Sequence, residues 1–174
     1  FAAIHVALAD KRVLVLERND RLGKKLRITG KGRCNVTNCC AVEEVLQNVP
    51  RNGRFLYSAV TQYPPARVME FLEAEGCPLK TERGNRVFPV SDSSASVQEA
   101  LERAMYRAGV TVRQGRVTEI CTKEGQISGV TAGGQTYGAR QVILATGGCS
   151  YPATGSTGDG YRLAARLGHT VAPP

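Results

Sequence analysis

Residues 11–20 read KRVLVLERND, and residues 13–16 form an apolar run that the acid Glu17 closes. A continuous apolar run of this kind is typical of a strand that is buried on both faces of a parallel sheet. The preceding residues 1–9 are mostly small or apolar and favour a helix. We therefore predict a helix that leads into a central parallel strand, which is the second half of a βαβ unit.

Two longer helices are predicted further along the chain. Residues 64–76, PPARVMEFLEAEG, carry proline in the first turn and end at Gly76. Residues 96–109, SVQEALERAMYRAG, have Ser96 as a candidate cap and Glu99 as its capping-box partner. Three shorter helices are expected near 42–48, near 55–60 and at 159–167, and the rest of 18–63 is expected to be loop.

The hydrophobic period changes from helical to twofold after residue 109. The segments VTVRQG, RVTEICTKEG, QISGVTAGG and QTYG are rich in β-branched residues and are separated by glycine-bearing turns. They predict an antiparallel meander, which we assign to 116–138. A second fully apolar strand, Val142 to Ala145, then ends in glycines. Two parallel strands with a meander between them predict an α/β dinucleotide-binding domain over residues 1–174.

The charge distribution and the hydrophobic runs bear on two classes of partner, nucleic acids and membranes. The 174 residues carry a net charge of +8, and five of the ten residues from Lys24 to Arg33 are basic. Because the chain has no tryptophan and no recognisable nucleic-acid motif, we expect a small anionic ligand rather than nucleic acid at this charge. No apolar run reaches the roughly 18 residues of a membrane span, so no membrane partner is expected.

The six cysteines and two histidines show no metal-ligand spacing, so no metal is predicted. Free thiols are common in reducing compartments, and the first residues do not resemble a signal peptide. We therefore expect a cytoplasmic protein. The sequence does not predict an oligomeric state.

Glu17 is the first candidate ligand-binding residue. In dinucleotide-binding sheets, an acid about 20 residues beyond a glycine-rich fingerprint accepts hydrogen bonds from ribose hydroxyls. Counting back that distance from Glu17 places the fingerprint upstream of Phe1, so the first strand is expected to be absent. The alternative is that Glu17 only begins a solvated loop with Arg18.

Two glycine-rich stretches follow the second apolar strand. ATGG at 145–148 would let backbone amides approach a flat or anionic ligand, although glycine pairs also form ordinary turns. GSTGDG at 155–160 precedes a helix whose N-terminus favours negative charge. Simple capping of that helix by Thr157 or Asp159 is the alternative.

Three motifs together resemble one family. GKGRCNVTN (30–38), FPVSDSSASV (88–97) and ILATGGCSYPATGSTGDGYRLAARLGHTVAPP (143–174) are similar to bacterial predicted flavoproteins. These proteins are also described as aminoacetone-oxidase-family or BaiN-like NAD(P)/FAD-dependent oxidoreductases. The resemblance extends from residue 1 to residue 174.

The resemblance implies an FAD-binding fold of the glutathione-reductase type that lacks its first strand. Glu17 would contact the adenosine ribose, and Gly30 to Asn35 would lie against the flavin ring or the diphosphate. The cofactor-binding residues implied in this way are Glu17, Arg18, Gly23, Lys24, Lys25, Gly30, Lys31, Gly32, Arg33, Cys34, Asn35, Val117, Ala145, Thr146, Gly147, Gly148, Gly158 and Asp159.

The implied activity is that of an FAD-dependent oxidoreductase that acts on a small organic substrate, with NAD(P)H or oxygen as redox partner. No general acid or base is assigned, because the cofactor carries this chemistry. Two alternatives stay open. One is an NAD-binding protein of two-domain type, and the other is a non-catalytic nucleotide- or RNA-binding module that uses the basic loop.

Overall fold

The computed structural model describes residues 1–172, which divide into two compact units. The first unit comprises Phe1–Asp10 and Leu26–Gly109, and the second comprises Lys11–Lys25 and the chain from Val110 onward. Residues 173 and 174, which end the third motif and the predicted domain, lie outside the described residues.

The described residues form six α-helices and eight strands, which we number in chain order. They are α1 (Ala2–Leu8), β1 (Leu14–Glu17), β2 (Thr37–Asn38), α2 (Val42–Gln47), α3 (Gly53–Gln62), α4 (Pro65–Ala74), β3 (Leu79–Glu82), β4 (Arg86–Pro89), α5 (Ser94–Arg107), β5 (Thr111–Gln114), β6 (Val117–Lys123), β7 (Gln126–Ala132), β8 (Gln135–Gly138) and α6 (Asp159–Arg166). Two 3-10 segments lie at Leu26–Gly32 and Pro152–Thr154.

The first unit packs helices against a small antiparallel sheet of order β2-β4-β3. These short strands lie partly within the region expected to be loop. They form because β3 and β4 make a hairpin, and Thr37 and Asn38 pair with β4, which becomes the central strand. The core of this unit is a cluster of buried side chains, namely Cys34, Leu72, Cys77, Val97 and Ala100.

The helix ends in this unit follow local backbone chemistry. Proline at the start of α4 and a left-handed Gly76 just beyond its end agree with the sequence prediction. The predicted capping box of α5 is wrong. The helix begins two residues earlier, because Ser93 is extended and its Oγ accepts from the Ala95 amide at 3.3 Å. The Ser96 hydroxyl instead pairs with Ser91.

The second unit contains a parallel pair and an antiparallel sheet. Strands β1 and β5 run parallel in the register Leu14 to Thr111 through Glu17 to Gln114. Strands β6, β7 and β8 form a separate antiparallel sheet. The first segment of the predicted meander, VTVRQG, therefore belongs to the parallel pair instead. Ile120, Val130 and Leu163 form the buried core of this unit.

The second predicted parallel strand does not form. Val142 to Ala145 pair with no strand among the described residues, and Ile143 is 61% exposed. Strand β1 is likewise only half-buried, and Leu14 is 38% exposed. A strand needs ladder hydrogen bonds to a neighbour, and within residues 1–172 only β5 supplies such a neighbour to β1.

Within the part of the chain that the structure describes, no helix has both the length and the apolar character of a membrane span.

Candidate functional site

Glu17 lies at the carboxyl end of β1, where a parallel sheet binds its ligands. Its Oε1 accepts from the backbone amide of Asn19 at 2.8 Å and from Asn19 Nδ2 at 2.9 Å. No group in residues 1–172 donates to Oε2. Asn19 therefore fixes the carboxylate and leaves one oxygen to accept hydrogen bonds from a ligand.

Asn19 also connects this strand end to the glycine loop at 155–160. Its Nδ2 donates to the carbonyl of Thr154 at 3.2 Å. A Cβ added at Gly155 would lie 2.9 Å from the same nitrogen, and Gly155 has a φ of +98°. The left-handed backbone requires glycine at this position, and a side chain there would also displace the Asn19 amide.

Lys25 is held by the loop that follows ATGG. Its Nζ donates to Ser150 Oγ at 2.6 Å, to the Ser150 carbonyl at 3.0 Å and to Ser156 Oγ at 3.3 Å. The same nitrogen lies 5.7 Å from the ring centroid of Tyr151. Tyr151 has a φ of 54° and an exposed ring, so the loop carries a strained bulky residue beside a cation.

The ATGG stretch lies open to solvent, and its two glycines differ in how strictly the backbone requires glycine at each position. Gly147 has a φ of +71°, and a Cβ there would lie 2.9 Å from Ser156 Oγ. Gly148 does not lie in the left-handed region, and its nearest neighbour would be Tyr161 Oη at 3.4 Å. The backbone therefore requires glycine at 147 more strictly than at 148.

Asp159, the first residue of α6, is a buried carboxylate surrounded by arginines. Arg18 Nη1 donates to Asp159 Oδ2 at 3.1 Å and also to Thr157 Oγ1 at 2.7 Å. Arg116 binds the carboxylate with two donors, Nε at 3.0 Å and Nη2 at 3.1 Å. Arg162 makes a third ion pair with it. Sequence reasoning missed Arg116 and Arg162.

The loop Gly30 to Asn35 belongs to the first unit, and many of its contacts are with other residues of that unit. A Cβ at Gly30 would lie 2.8 Å from the Asn35 amide nitrogen and 2.9 Å from Phe88 Cε1, and its φ is +55°. Lys31 and Cys34 are also left-handed. The glycine at position 30 is therefore needed for the loop to close upon itself.

Arg33 is committed to ion pairs in the same unit. It donates to Glu82 at 2.8 and 3.3 Å and to Asp92 at 3.1 Å, and its guanidinium stacks 4.0 Å from the Phe88 ring. The hydrogen bond with Arg33 lowers the pKa of Glu82. Hydrogen bonds from Lys80 and then from Arg33 lower the pKa of Asp92. Lys31, by contrast, is exposed and has no ion pair within residues 1–172.

The Cys34 side chain is part of the hydrophobic core. Burial raises the pKa of its thiol, which favours the neutral form. Only its backbone is therefore available to a ligand, and packing accounts for the side chain.

The other predicted residues have mainly local contacts. Gly23 is left-handed, and Lys24 lies 4.0 Å from Asp20. Val117 begins β6 and packs against the core of the second unit. Gly158 is left-handed and donates its amide to the Gly148 carbonyl at 3.1 Å. Among the described residues, no group of three or more His, Cys, Asp or Glu is arranged to hold a metal.

Comparisons with known proteins identify the family to which the chain is similar. The model of the family described as HI0933-like protein Rossmann domain matches residues 1–174. A 3-dehydro-bile acid delta(4,6)-reductase of Clostridium scindens is 36% identical over 177 residues, which cover 99% of this chain and 42% of that protein. The match and the mixed helices and strands together establish a Rossmann-like α/β fold.

Two ribosomal RNA dihydrouridine synthases are also similar, each at 26% identity. The protein of Escherichia coli aligns over 99% of this chain and 42% of its own length. The protein of Haemophilus influenzae aligns over 100% of this chain and 44% of its own length. The chain thus spans less than half the length of these curated relatives.

Proposed function

Because the chain belongs to the HI0933-like Rossmann-domain family, as its motifs predict, we propose that it forms the FAD-binding part of an oxidoreductase. The finer fold proposed is the glutathione-reductase type. Supporting it, strand β1 pairs only with β5 among the described residues, so its other edge is open to a further parallel strand.

Glu17 is the observation that carries the proposal. It lies at the carboxyl end of a parallel strand, one oxygen is fixed by Asn19, and the other is free of donors in residues 1–172. The two vicinal hydroxyls of a ribose can donate hydrogen bonds, and such an oxygen can accept them. This arrangement fits the adenosine half of FAD.

The glycine-rich backbone in the same unit fits the rest of a dinucleotide. The exposed segment 143–147 ends at a left-handed Gly147, and Gly155 and Gly158 are also left-handed. Lys25, held by Ser150 and Ser156, supplies a positive charge beside this backbone. We propose that these groups hold the cofactor.

When bound, FAD would carry a hydride between a reduced nicotinamide and the substrate. We propose that the protein's own residues bind the cofactor and orient it toward the substrate. We propose NAD(P)H as the electron donor, because a net reduction needs a reductant and the relative at 36% identity is named a reductase.

The names of the relatives suggest the class of bond that is reduced. A delta(4,6)-reductase acts on carbon–carbon double bonds, and a dihydrouridine synthase makes a uridine with one such bond reduced. We propose that this protein adds a hydride and a proton across a carbon–carbon double bond of a small organic molecule. NAD(P)H is oxidised to NAD(P)⁺ in the same turnover.

RNA is the second candidate substrate. Two relatives are named for action on ribosomal RNA, and the net charge of +8 suits a polyanionic partner. The relative named for a bile acid is more similar, which favours the small molecule. An NAD-binding protein without flavin is the less favoured alternative, because the motifs of this chain resemble those of predicted flavoproteins.

A half-reaction experiment tests the proposal. The full-length protein is reduced anaerobically with NAD(P)H, and conjugated enones, oxygen or uridine-containing RNA are then added separately. We expect an enone to restore the oxidised flavin spectrum faster than the other two. Fastest reoxidation by RNA would establish the second candidate, and reoxidation by oxygen alone would overturn the double-bond reductase.

A further inference from the structure

Tyr151 has an unfavourable backbone conformation in the glycine-rich loop of the second unit. Its φ of 54° and ψ of 67° lie in the left-handed region, which bulky residues rarely adopt. Pro152 comes next, and a residue before proline is restricted further, to extended conformations. Among the described non-glycine residues with a left-handed backbone, Tyr151 is the only aromatic one. The loop is therefore strained at this position.

The backbone conformation does not explain why residue 151 is a tyrosine. The other left-handed positions between 147 and 158 are all glycines, namely Gly147, Gly155 and Gly158. Glycine would adopt the conformation at 151 without strain. The reason for a tyrosine must therefore lie in its side chain.

Packing does not explain the side chain either. Tyr151 is 67% exposed and lies outside the buried core of its unit. Its hydroxyl makes no hydrogen bond within residues 1–172. Lys25 Nζ lies 5.7 Å from the ring centroid and leaves most of the ring open to solvent.

Hydrogen bonds on both sides fix the backbone of Tyr151. Thr154 donates to the Tyr151 carbonyl from its amide at 2.9 Å and from its Oγ1 at 2.7 Å. Ser150, the preceding residue, accepts from Lys25 through its hydroxyl at 2.6 Å and its carbonyl at 3.0 Å. Strained residues that are held in this way cluster at active sites. The loop thus places an exposed phenol beside the groups that we assign to the cofactor.

The proposed reduction needs a proton donor as well as a hydride donor. We propose that Tyr151 is the proton donor, an inference that rests on the proposed function. NAD(P)H supplies the hydride that is added to one carbon of the double bond, and the Tyr151 hydroxyl gives its proton to the other carbon. The phenolate that is left on Tyr151 takes a proton from water. Until then, the positive charge of Lys25 beside the ring offsets its negative charge.

Cys149 is the competing proton donor in the same loop. Its thiol is free and the residue is exposed. Its backbone is not left-handed, however, and its sulfur lies 3.1 Å from the position that a Cβ at Gly158 would take. Cys149 therefore carries no strain of the kind seen at Tyr151, and its sulfur lies against the turn before α6.

The test compares two acceptors with the full-length protein, which is first reduced anaerobically with NAD(P)H. Hydride addition to cyclohexenone leaves an enolate, which must then be protonated on carbon. Hydride addition to nitrocyclohexene leaves a nitronate, which is stable in water without a proton on carbon. Stopped-flow absorbance of the flavin follows its reduction and its reoxidation. The variant is Tyr151→Phe, and Tyr161→Phe is the matched control, since Tyr161 lies in the same unit with an ordinary helical backbone.

We expect Tyr151→Phe to slow reoxidation by cyclohexenone about a hundred- to ten-thousandfold, the contribution of a general acid. Its reduction by NAD(P)H and its reoxidation by nitrocyclohexene should stay within about twofold of wild type. The dissociation constant of cyclohexenone for the oxidised protein, which cannot reduce it, should also stay within about twofold. Tyr161→Phe and Cys149→Ala should match the wild type throughout.

Thermal melting of the flavin-free protein gives a measurement that does not depend on activity. Asparagine adopts a left-handed backbone more readily than an aromatic residue. Tyr151→Asn should therefore melt at or above the wild-type temperature. A lower melting temperature would show that the tyrosine ring stabilises the fold, and it would overturn the functional explanation of the strain.

The two acceptors separate failure of the inference from failure of the proposed function. Equal reoxidation by cyclohexenone in Tyr151→Phe and in the wild type would overturn the proton donor and leave the double-bond reductase intact. Equal slowing with both acceptors would also overturn it, because the nitroalkene needs no proton donor. If neither these acceptors nor any other conjugated enone reoxidises the reduced wild type, the proposed function fails and the proton donor fails with it.

Discussion

Asn19 holds Glu17 through two hydrogen bonds to the same carboxylate oxygen, one from its backbone and one from its side chain. The second oxygen has no donor among residues 1–172. The residues are two positions apart, so the arrangement is built into the turn that follows β1. It gives a half-buried acid a fixed orientation at the carboxyl edge of the parallel pair.

Glu17→Gln tests that orientation. The glutamine oxygen still accepts from Asn19, but the charge that strengthens hydrogen bonds to ribose hydroxyls is lost. We expect FAD binding to weaken by about 1–3 kcal/mol, while flavin-free stability hardly changes. Titration of the flavin-free protein with FAD and thermal melting measure the two quantities.

Glu43→Gln is the matched control, since Glu43 is an exposed residue of α2. It should leave FAD affinity unchanged. A loss of flavin-free stability in Glu17→Gln as large as its loss of affinity would make Glu17 a structural residue.

The variants Gly147→Ala and Gly148→Ala, which replace the two glycines of ATGG, should differ in thermal stability. At Gly147 alanine must adopt a left-handed backbone and approach Ser156 Oγ to 2.9 Å. The backbone alone should cost about 1–2 kcal/mol. At Gly148 the nearest atom is 3.4 Å away and φ is ordinary, so alanine should cost less. Equal melting temperatures for the two variants would contradict this distinction.

The pair Arg33–Glu82 should make the first unit sensitive to acid. Because hydrogen bonds from Arg33 and Lys80 lower the pKa values of Glu82 and Asp92 in the folded state, their stabilisation is present above the ordinary values of 4.5 and 3.8. It is lost as the pH falls below these values and through the lowered ones. Melting curves across that range should show a steeper fall for wild type than for Arg33→Gln.

Arg86→Gln is the control for this comparison, since Arg86 lies near the Phe88 ring without pairing to either acid. It should keep the wild-type dependence on pH. If Arg33→Gln also kept it, the ion pairs would contribute nothing measurable to folding.

The helices were largely predictable because their signals are local. Proline at the start of α4 and glycines just beyond α4 and α5 act within one turn of the helix. The partner of a strand is not encoded locally. VTVRQG has the same composition whether it joins a meander or pairs in parallel with β1, and only the long-range register decides.

The candidate site was predictable where it is carried by a motif. Glu17 and the glycine loops follow recognised patterns, whereas Arg116 and Arg162 converge on Asp159 only after folding. Arg18 reaches Asp159 across 141 positions of sequence. The contacts of Gly30 with Phe88 and of Arg33 with Glu82 could not be predicted either. Both partners come from the β3–β4 hairpin, which is distant in sequence.

The flavin content of the purified full-length protein tests the central claim most directly. We expect a yellow protein with about one FAD per chain, held without a covalent bond, because the site offers hydrogen bonds and charges for a dinucleotide. Acid precipitation should release FAD into the supernatant, where chromatography identifies it. A colourless protein that takes up no added FAD would contradict the account.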